Sequence, residues 1–230
     1  MDAKAYEGSA LDYVLAKPDG FTPDAGLPLV VLLHGFGANM YDLAGLASVI
    51  DATGYVYAFP NGPHGVQLGP GAVGYSWATG RPGMAPADPN APSTDELLDT
   101  FLSEIASETG AQPGRIVLGG FSQGGGLALT HGLPRPDAFS ALAVLSGFFR
   151  DHDAVRPRLP AQPTQPVFVA HGTHDPVVPI DAGRSTRAFL QELGYSLTYN
   201  EYPMAHEISP AELGDLIAWL HEVMPPGPAS

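Results

Sequence analysis

The sequence contains no cysteine and few basic residues, and each of these scarcities excludes a class of function. Without cysteine, the chain of 230 residues can form no disulfide, no thiolate metal site and no cysteine nucleophile. Lys and Arg number 10 against 24 Asp and Glu, which gives a formal net charge of -14. Because no basic cluster is present to neutralise phosphates, we expect neither nucleic acid nor an anionic membrane surface as a partner.

Long hydrophobic runs are also missing. No stretch approaches the roughly 18 consecutive apolar residues of a membrane-spanning helix, and residues 1–20 lack the apolar segment of a signal peptide. We therefore expect no membrane insertion and a cytoplasmic location. Hydrophobic residues still make up 44% of the chain, enough to form a core. The length predicts a single domain over residues 1–230.

Short apolar runs predict the strands of a sheet. Several are apolar almost throughout, which is typical of parallel strands that are covered on both faces. Segment 5–16 is a candidate for an additional antiparallel strand at one edge of the sheet. The main predicted strands lie at 27–35, 55–60, 115–121, 141–147, 166–172 and 197–203.

Helical patterns separate these strands, and three of them have clear end residues. Weaker patterns follow residues 40 and 124. The alternation of strands and helices predicts an α/β fold, with helices on both faces of a mostly parallel sheet. The expected first and last positions of the three clear helices are Ser93 or Thr94 to Gly110, Asp181 as N-cap to Gly194, and Ser209 as N-cap onward.

Residues 60–93 do not fit this alternation, because Gly and Pro are frequent there and apolar residues are scattered. A loop of this length inside a compact domain is usually functional or partly disordered. Tyr75, Trp77 and Met84 favour a packed wall beside a site, and a loop that merely covers the fold is the alternative. Whether the segment is a mobile flap or a fixed wall stays open.

Residues 120–124, with the sequence GFSQG, match the pattern G-x-S-x-G. In a nucleophile elbow the serine occupies a strained turn between a strand and a helix, and the flanking glycines allow the backbone to approach closely. Ser122 lies between an apolar run and a helical pattern, which is the context that an elbow requires. Because the five-residue pattern is weak alone, a glycine-rich bend that happens to contain a serine is the alternative.

A serine hydroxyl needs a base to take its proton. Among eight histidines, His206 lies between the last predicted strand and the last helix, at the edge of the sheet where ligand crevices of α/β folds lie. His34 and His171 also end strands, but histidines in such positions are more often hydrogen-bonded structural residues. His206 is therefore the candidate base.

An acid is needed to orient the imidazolium that forms in the reaction. Asp175 follows the predicted strand 166–172, and its rival Asp181 is better explained as the N-cap of the next helix. The order Ser122, Asp175, His206 is the order of the triad in α/β-hydrolases.

The tetrahedral intermediate needs backbone N–H donors, for which Gln123, directly after the serine, and Phe36, in the early HGFG loop, are the candidates. Because only their main chains would act, we expect both side chains to tolerate change.

These motifs resemble the phospholipase/carboxylesterase family of α/β-hydrolases, which includes bacterial carboxylesterases and acyl-protein thioesterases. The resemblance implies a small hydrolase with little or no lid and no cofactor, which cleaves carboxylic esters or thioesters of acyl chains. It also places Trp77 beside the active site as a substrate-binding residue. The matching segments follow the family order over most of the chain: LLHGFGAN, FPNGP, GYSWATG, GGFSQGGGLAL, LSGFF, HGTHDPVVP and AHEI.

The sequence thus predicts a serine carboxylesterase that hydrolyses small-molecule esters through a covalent acyl-enzyme. A lysophospholipase or acyl-protein thioesterase with the same triad is one alternative, and a binding protein on a catalytically reduced α/β-hydrolase fold is another. A metal-dependent hydrolase using His34, His171 and His174 is disfavoured, because their spacing matches no ligand pattern. Homodimer formation is left open.

Overall fold

A computed structural model describes residues 1–80, 84–85, 88–149 and 152–227. Its strands are β1 (Asp2–Tyr6), β2 (Tyr13–Lys17), β3 (Leu29–Leu33), β4 (Val56–Pro60), β5 (His64–Gly69), β6 (Ala72–Ser76), β7 (Ile116–Phe121), β8 (Ala141–Leu145), β9 (Val167–Gly172) and β10 (Leu197–Tyr202). Its helices are α1 (Leu46–Ile50), α2 (Thr94–Thr109), α3 (Gln123–Gly132), α4 (His152–Val155), α5 (Ile180–Glu192) and α6 (Pro210–Val223).

The main sheet has eight strands in the order β1-β2-β4-β3-β7-β8-β9-β10. Its six strands from β4 to β10 are parallel to one another, which confirms the predicted mostly parallel sheet. Strands β1 and β2 form an antiparallel extension at one edge, so the early segment supplies two strands where one was expected.

Helices cover both faces of this sheet, as predicted. The core residues of α1 and α6 pack against one face, and those of α2, α3 and α5 pack against the other. Four strands, β3, β4, β8 and β9, are buried along their whole length. They are buried because other strands flank them in the sheet and helices cover both of its faces. Within the described ranges, no helix is both long enough and apolar enough to cross a bilayer.

Two of the predicted helix starts are correct and one is wrong. Ser93 and Ser209 are N-caps, and each forms a capping box with the glutamate three residues later. Helix α5 instead begins directly after Pro179, which has an extended backbone and makes no side-chain cap. Asp181 therefore lies inside the first turn with an exposed side chain, where a carboxylate interacts with the helix dipole without capping the helix.

The first part of segment 60–93 is an ordered hairpin of β5 and β6. Its second strand is tied to the loop after β3, because Gly37 N–H donates to the Tyr75 carbonyl and Tyr75 N–H donates to the Ala38 carbonyl, both at 2.8 Å. Described residues of the segment thus pack against the loop after β3. Residues 81–83 and 86–87 of the segment lie outside the described part of the chain.

The first turn of α3 lies directly on the backbone at the end of β3. A Cβ atom on Gly124 would overlap the Leu33 carbonyl and would come within 2.7 Å of the His34 carbonyl oxygen. Real Cβ atoms do not approach a backbone this closely, so the contact requires glycine.

We predict that Gly124→Ala destabilises the fold by about 1–3 kcal/mol or more, because the added methyl group forces α3 away from β3. Gly214→Ala is the matched control, since Gly214 lies in α6 and nothing is within 4 Å of its Cβ position. That control should stabilise the helix by about 0.5–1 kcal/mol. Urea denaturation measures both, and a Gly124→Ala protein as stable as wild type would contradict the packing argument.

Glu212, in the first turn of α6, is a fully buried carboxyl group. Burial raises its pKa to about 7, although the hydrogen bond from the Ser209 N–H acts in the opposite direction. A raised carboxyl pKa means that the folded state binds the proton more tightly than the unfolded state does. The contribution of Glu212 to the free energy of unfolding is therefore fully present below the ordinary pKa of 4.5 and is lost as pH rises to about 7.

We predict that Glu212→Gln stabilises the protein by about 1–3 kcal/mol at pH 8 and has little effect near pH 4.5. Glutamine keeps the capping geometry and removes the buried charge. Glu222→Gln, at an exposed position of the same helix, is the control and should change stability by less than about 0.5 kcal/mol. Denaturation at several pH values tests this, and a gain independent of pH would be inconsistent with titration of Glu212.

Candidate active site

Ser122 occupies a strained turn between β7 and α3. Its backbone angles are φ 53° and ψ -116°, a conformation that costs a residue with a side chain about 1–3 kcal/mol. Two hydrogen bonds hold it there: Ser122 N–H donates to the Leu145 carbonyl at 2.9 Å, and its own carbonyl accepts from Gly126 N–H at 3.1 Å. The turn places the hydroxyl at the carboxyl end of β7 and at the N-terminus of α3.

His206 and Asp175 lie next to this serine. The Nε2 atom of His206 is 2.9 Å from Ser122 Oγ, and its Nδ1 atom is 2.6 Å from Asp175 Oδ2. An ionised carboxylate only accepts hydrogen bonds, so Nδ1 carries the ring proton and Nε2 accepts from the serine hydroxyl. The His206 ring also packs on Phe121, with 4.7 Å between ring centroids. The structure thus brings together the three residues that the sequence singled out.

Asp175 is held by its own loop. Its side chain is fully buried, and its Oδ1 atom accepts hydrogen bonds from the N–H groups of Val177 and Val178, each at 2.8 Å. Burial alone raises the pKa of this carboxyl, but the hydrogen bonds from His206, Val178 and Val177 together keep it below its ordinary value. The group therefore stays ionised and available to the imidazole.

A second histidine lies behind Asp175. His171 is fully buried, and its Nε2 atom is 2.9 Å from the Val178 carbonyl oxygen, to which the ring N–H donates. The same nitrogen is 3.7 Å from Asp175 Oδ2. His171 thus ties the end of β9 to the loop that carries the aspartate, in agreement with the structural role expected of it.

The loop after β3 approaches Ser122 through Gly35. A Cβ atom on Gly35 would lie 3.4 Å from the Ser122 Cβ, so this glycine is in direct contact with the elbow. Phe36 follows it in the chain, and Gln123 is the first residue of α3. The two candidate oxyanion donors therefore belong to segments that meet at Ser122.

The Gln123 side chain makes contacts that the sequence did not reveal. It is buried, its Oε1 atom accepts from Trp77 N–H at 3.1 Å, and its Nε2 atom donates to Ser76 Oγ at 3.0 Å. The expectation that this side chain tolerates change is therefore corrected, because its loss would leave buried polar groups unpaired.

Trp77 lies beside the site, as the resemblance implies. Its indole N–H donates to the His34 carbonyl at 2.9 Å, and its ring lies 5.1 Å from the His34 ring, centroid to centroid. Because only 3% of Trp77 is exposed, direct contact of this residue with a substrate stays a prediction.

His34, His171 and His174 do not form a metal site with other residues in the described part of the chain. The described part of the chain holds no group of three or more His, Cys, Asp or Glu residues placed to bind a metal ion. His34 uses both ring nitrogens within the protein, with Nδ1 2.7 Å from the Gly35 carbonyl oxygen and Nε2 2.9 Å from Gly62 N.

Comparison with known proteins gives the same family that the motifs indicate. The phospholipase/carboxylesterase family matches residues 23–224. Acyl-protein thioesterase 1 of Mycosarcoma maydis is 33% identical over 240 residues, which cover 94% of this chain and 99% of that protein. Acyl-protein thioesterase 1 of Gibberella zeae is 37% identical over 124 residues. That alignment spans about half of each protein, 52% of this chain and 52% of the relative.

The structural comparison agrees. The crystal structure of esterase PE8 superposes with a TM-score of 0.73 at 25% identity and covers 97% of this chain and 100% of that one. The names of these similar proteins, esterase and thioesterase, agree with the predicted hydrolase of ester bonds. The family match extends over most of the sequence, and the order of strands and helices supports it. The chain therefore has the α/β-hydrolase fold and belongs to the phospholipase/carboxylesterase family.

Proposed function

We propose that this protein is a serine hydrolase that cleaves carboxylic esters, with Ser122 as nucleophile, His206 as base and Asp175 as the orienting acid. The observation that carries the proposal is the continuous hydrogen-bonded series from Ser122 Oγ through both nitrogens of His206 to Asp175, with distances of 2.9 and 2.6 Å. Such a series is what activation of a serine requires.

In the first half of the reaction, His206 Nε2 takes the hydroxyl proton as Ser122 Oγ attacks the ester carbonyl carbon. The resulting oxyanion is stabilised by the backbone N–H groups of Phe36 and Gln123, and the N-terminus of α3 favours the negative charge. His206 then gives its proton to the leaving alcohol, and the acyl group stays on Ser122.

In the second half, His206 takes a proton from water as the water oxygen attacks the acyl carbonyl carbon at the same oxyanion site. His206 then returns this proton to Ser122 Oγ as the bond between Oγ and the acyl carbon breaks, which releases the acid and the free serine. The Asp175 carboxylate stabilises the imidazolium in both halves. Its low pKa suits this role, because the carboxyl group keeps its charge while His206 carries the proton.

An acyl-protein thioesterase is the second candidate function, and it uses the same residues. The specific observation in its favour is the 33% identity with the Mycosarcoma maydis protein of that name, over nearly the full length of both chains. We prefer the carboxylesterase because the acidic chain offers no basic cluster for an anionic membrane, where acylated proteins are anchored. Action on small-molecule esters and a cytoplasmic location remain predictions from the sequence, and homodimer formation is left open.

We predict that Ser122→Ala abolishes labelling by a fluorophosphonate probe and lowers kcat for short p-nitrophenyl esters by several orders of magnitude. The reason is that Ser122 Oγ is the hydroxyl oxygen hydrogen-bonded to the base, at 2.9 Å from His206 Nε2. Ser103→Ala, at an exposed position of α2, is the matched control and should label and turn over like wild type. Undiminished turnover by Ser122→Ala would refute the mechanism.

The two candidate functions differ in the bond and the acyl chain that they prefer. We predict that kcat/KM for oxygen esters equals or exceeds that for thioesters of the same acyl group. The measurement is a matched series of oxygen esters, thioesters and lysophospholipids from acetyl to palmitoyl. A steep preference for long-chain thioesters would replace the carboxylesterase by the thioesterase, and Ser122→Ala run in parallel separates enzymatic turnover from background hydrolysis.

A further inference from the structure

His34 is a buried histidine whose two ring nitrogens both bind backbone. Gly62 N–H donates to Nε2 at 2.9 Å, so this nitrogen carries no proton, and Nδ1 must then donate to the Gly35 carbonyl at 2.7 Å. Only 2% of the residue is exposed. Burial lowers the pKa of His34 and so favours the neutral ring. The hydrogen bond to the Gly35 carbonyl acts in the opposite direction but is the smaller effect. The mechanism described above gives this residue no role.

The hydrogen bond from His34 Nδ1 to the Gly35 carbonyl fixes the orientation of a whole peptide group. The Gly35 C=O and the Phe36 N–H belong to one planar trans peptide, in which the two groups point in opposite directions. A donor that holds the Gly35 oxygen therefore sets the direction of the Phe36 N–H. Gly35 also contacts the elbow, since its Cβ position lies 3.4 Å from Ser122 Cβ and 3.3 Å from the Phe121 ring.

The preceding peptide is fixed as well. The Trp77 indole donates to the His34 carbonyl at 2.9 Å, and the Trp77 backbone N–H donates to the Gln123 side chain at 3.1 Å. The residue after the nucleophile is thus connected, through Trp77 and His34, to the peptide that ends at Phe36.

We propose that His34 is a positioning residue for the oxyanion site: its Nδ1–H aims the Phe36 N–H at the reacting carbonyl, and Trp77 supports it from the other side. The inference rests on the proposed function, because it assigns the supports of a donor named there. It gives Trp77 a role that needs no contact with substrate, which agrees with its burial.

The alternative is that His34 merely joins the loop after β3 to Gly62 and stabilises the fold. The two ring nitrogens allow these roles to be separated. An asparagine amide occupies the place of Nδ1 and keeps the donor to Gly35, whereas a glutamine amide reaches the place of Nε2 and keeps an acceptor for Gly62. The pair His34→Asn and His34→Gln therefore removes one bond at a time.

We predict that His34→Gln lowers kcat by about 10²-fold with little change in KM, because an oxyanion donor is typically worth about 10²–10³-fold in rate. His34→Asn should lose less than about 10-fold. Affinity for a trifluoromethyl ketone, which forms a tetrahedral adduct with a serine, should fall in parallel with kcat/KM, while affinity for the product acid should not change. Melting temperatures report any loss of folded protein separately.

Trp77→Phe tests the second support, since it removes the indole N–H and keeps an aromatic ring against His34. Its kcat should fall by about 10-fold, and the double variant with His34→Gln should lose less than the product of the single losses, because both act on one donor.

The inference is overturned if His34→Gln and His34→Asn lose kcat equally, or if His34→Gln keeps wild-type kcat and ketone affinity. Failure of the proposed function has a different signature: wild type then hydrolyses no ester, or Ser122→Ala remains active.

Discussion

The start of α3 and the end of β3 are in backbone contact, and the geometry of the site depends on this contact. Gly124 lies against the carbonyls of Leu33 and His34, which leaves no room for a side chain. The contact forces a sharp turn between β7 and α3, and Ser122 takes the positive φ of that turn. It also brings the loop that follows β3 beside the serine. A single close approach thus produces both the strained turn at Ser122 and the amide groups beside it.

The charge of Asp175, beside this turn, is stabilised by hydrogen bonds. Asp175 is the fully buried carboxylate of the site, and it is stabilised by two backbone N–H groups as well as by His206. Removing a charge from water is costly unless hydrogen bonds replace the lost hydration. The short loop after β9 supplies these bonds, so the position of the aspartate and its ionisation have the same cause. His171 keeps that loop in place through the Val178 carbonyl.

The parts of the molecule that sequence predicted are those with local patterns. The buried strands follow from apolar runs, and the grouping of Ser122, Asp175 and His206 follows from their places at the ends of parallel strands. The β5–β6 hairpin was missed because its Gly-rich segment, with scattered apolar residues, resembles a loop. The start of α5 was predicted wrongly, because Asp181 is a residue type that commonly caps helices but here lies inside the first turn. The contacts of Gln123 with Ser76 and Trp77, and of His34 with Gly62 and Trp77, were not predictable, because these partners lie far away in the sequence.

The β5–β6 hairpin and the residue that follows it contact the segments around Ser122. Its backbone pairs with the loop after β3 at Tyr75, and its end supplies the Trp77 contacts to Gln123 and His34. The turn at Ser122 depends on a backbone contact that only glycine at position 124 allows, whereas the loop after β3 is held by side-chain hydrogen bonds from Trp77 and His34. The backbone contact and the side-chain hydrogen bonds respond differently to mutation. We therefore expect a larger residue in place of Gly124 to disturb the fold as a whole. Loss of a side-chain donor beside the loop after β3 should instead change the direction of one amide, and its effect should fall mainly on the transition state.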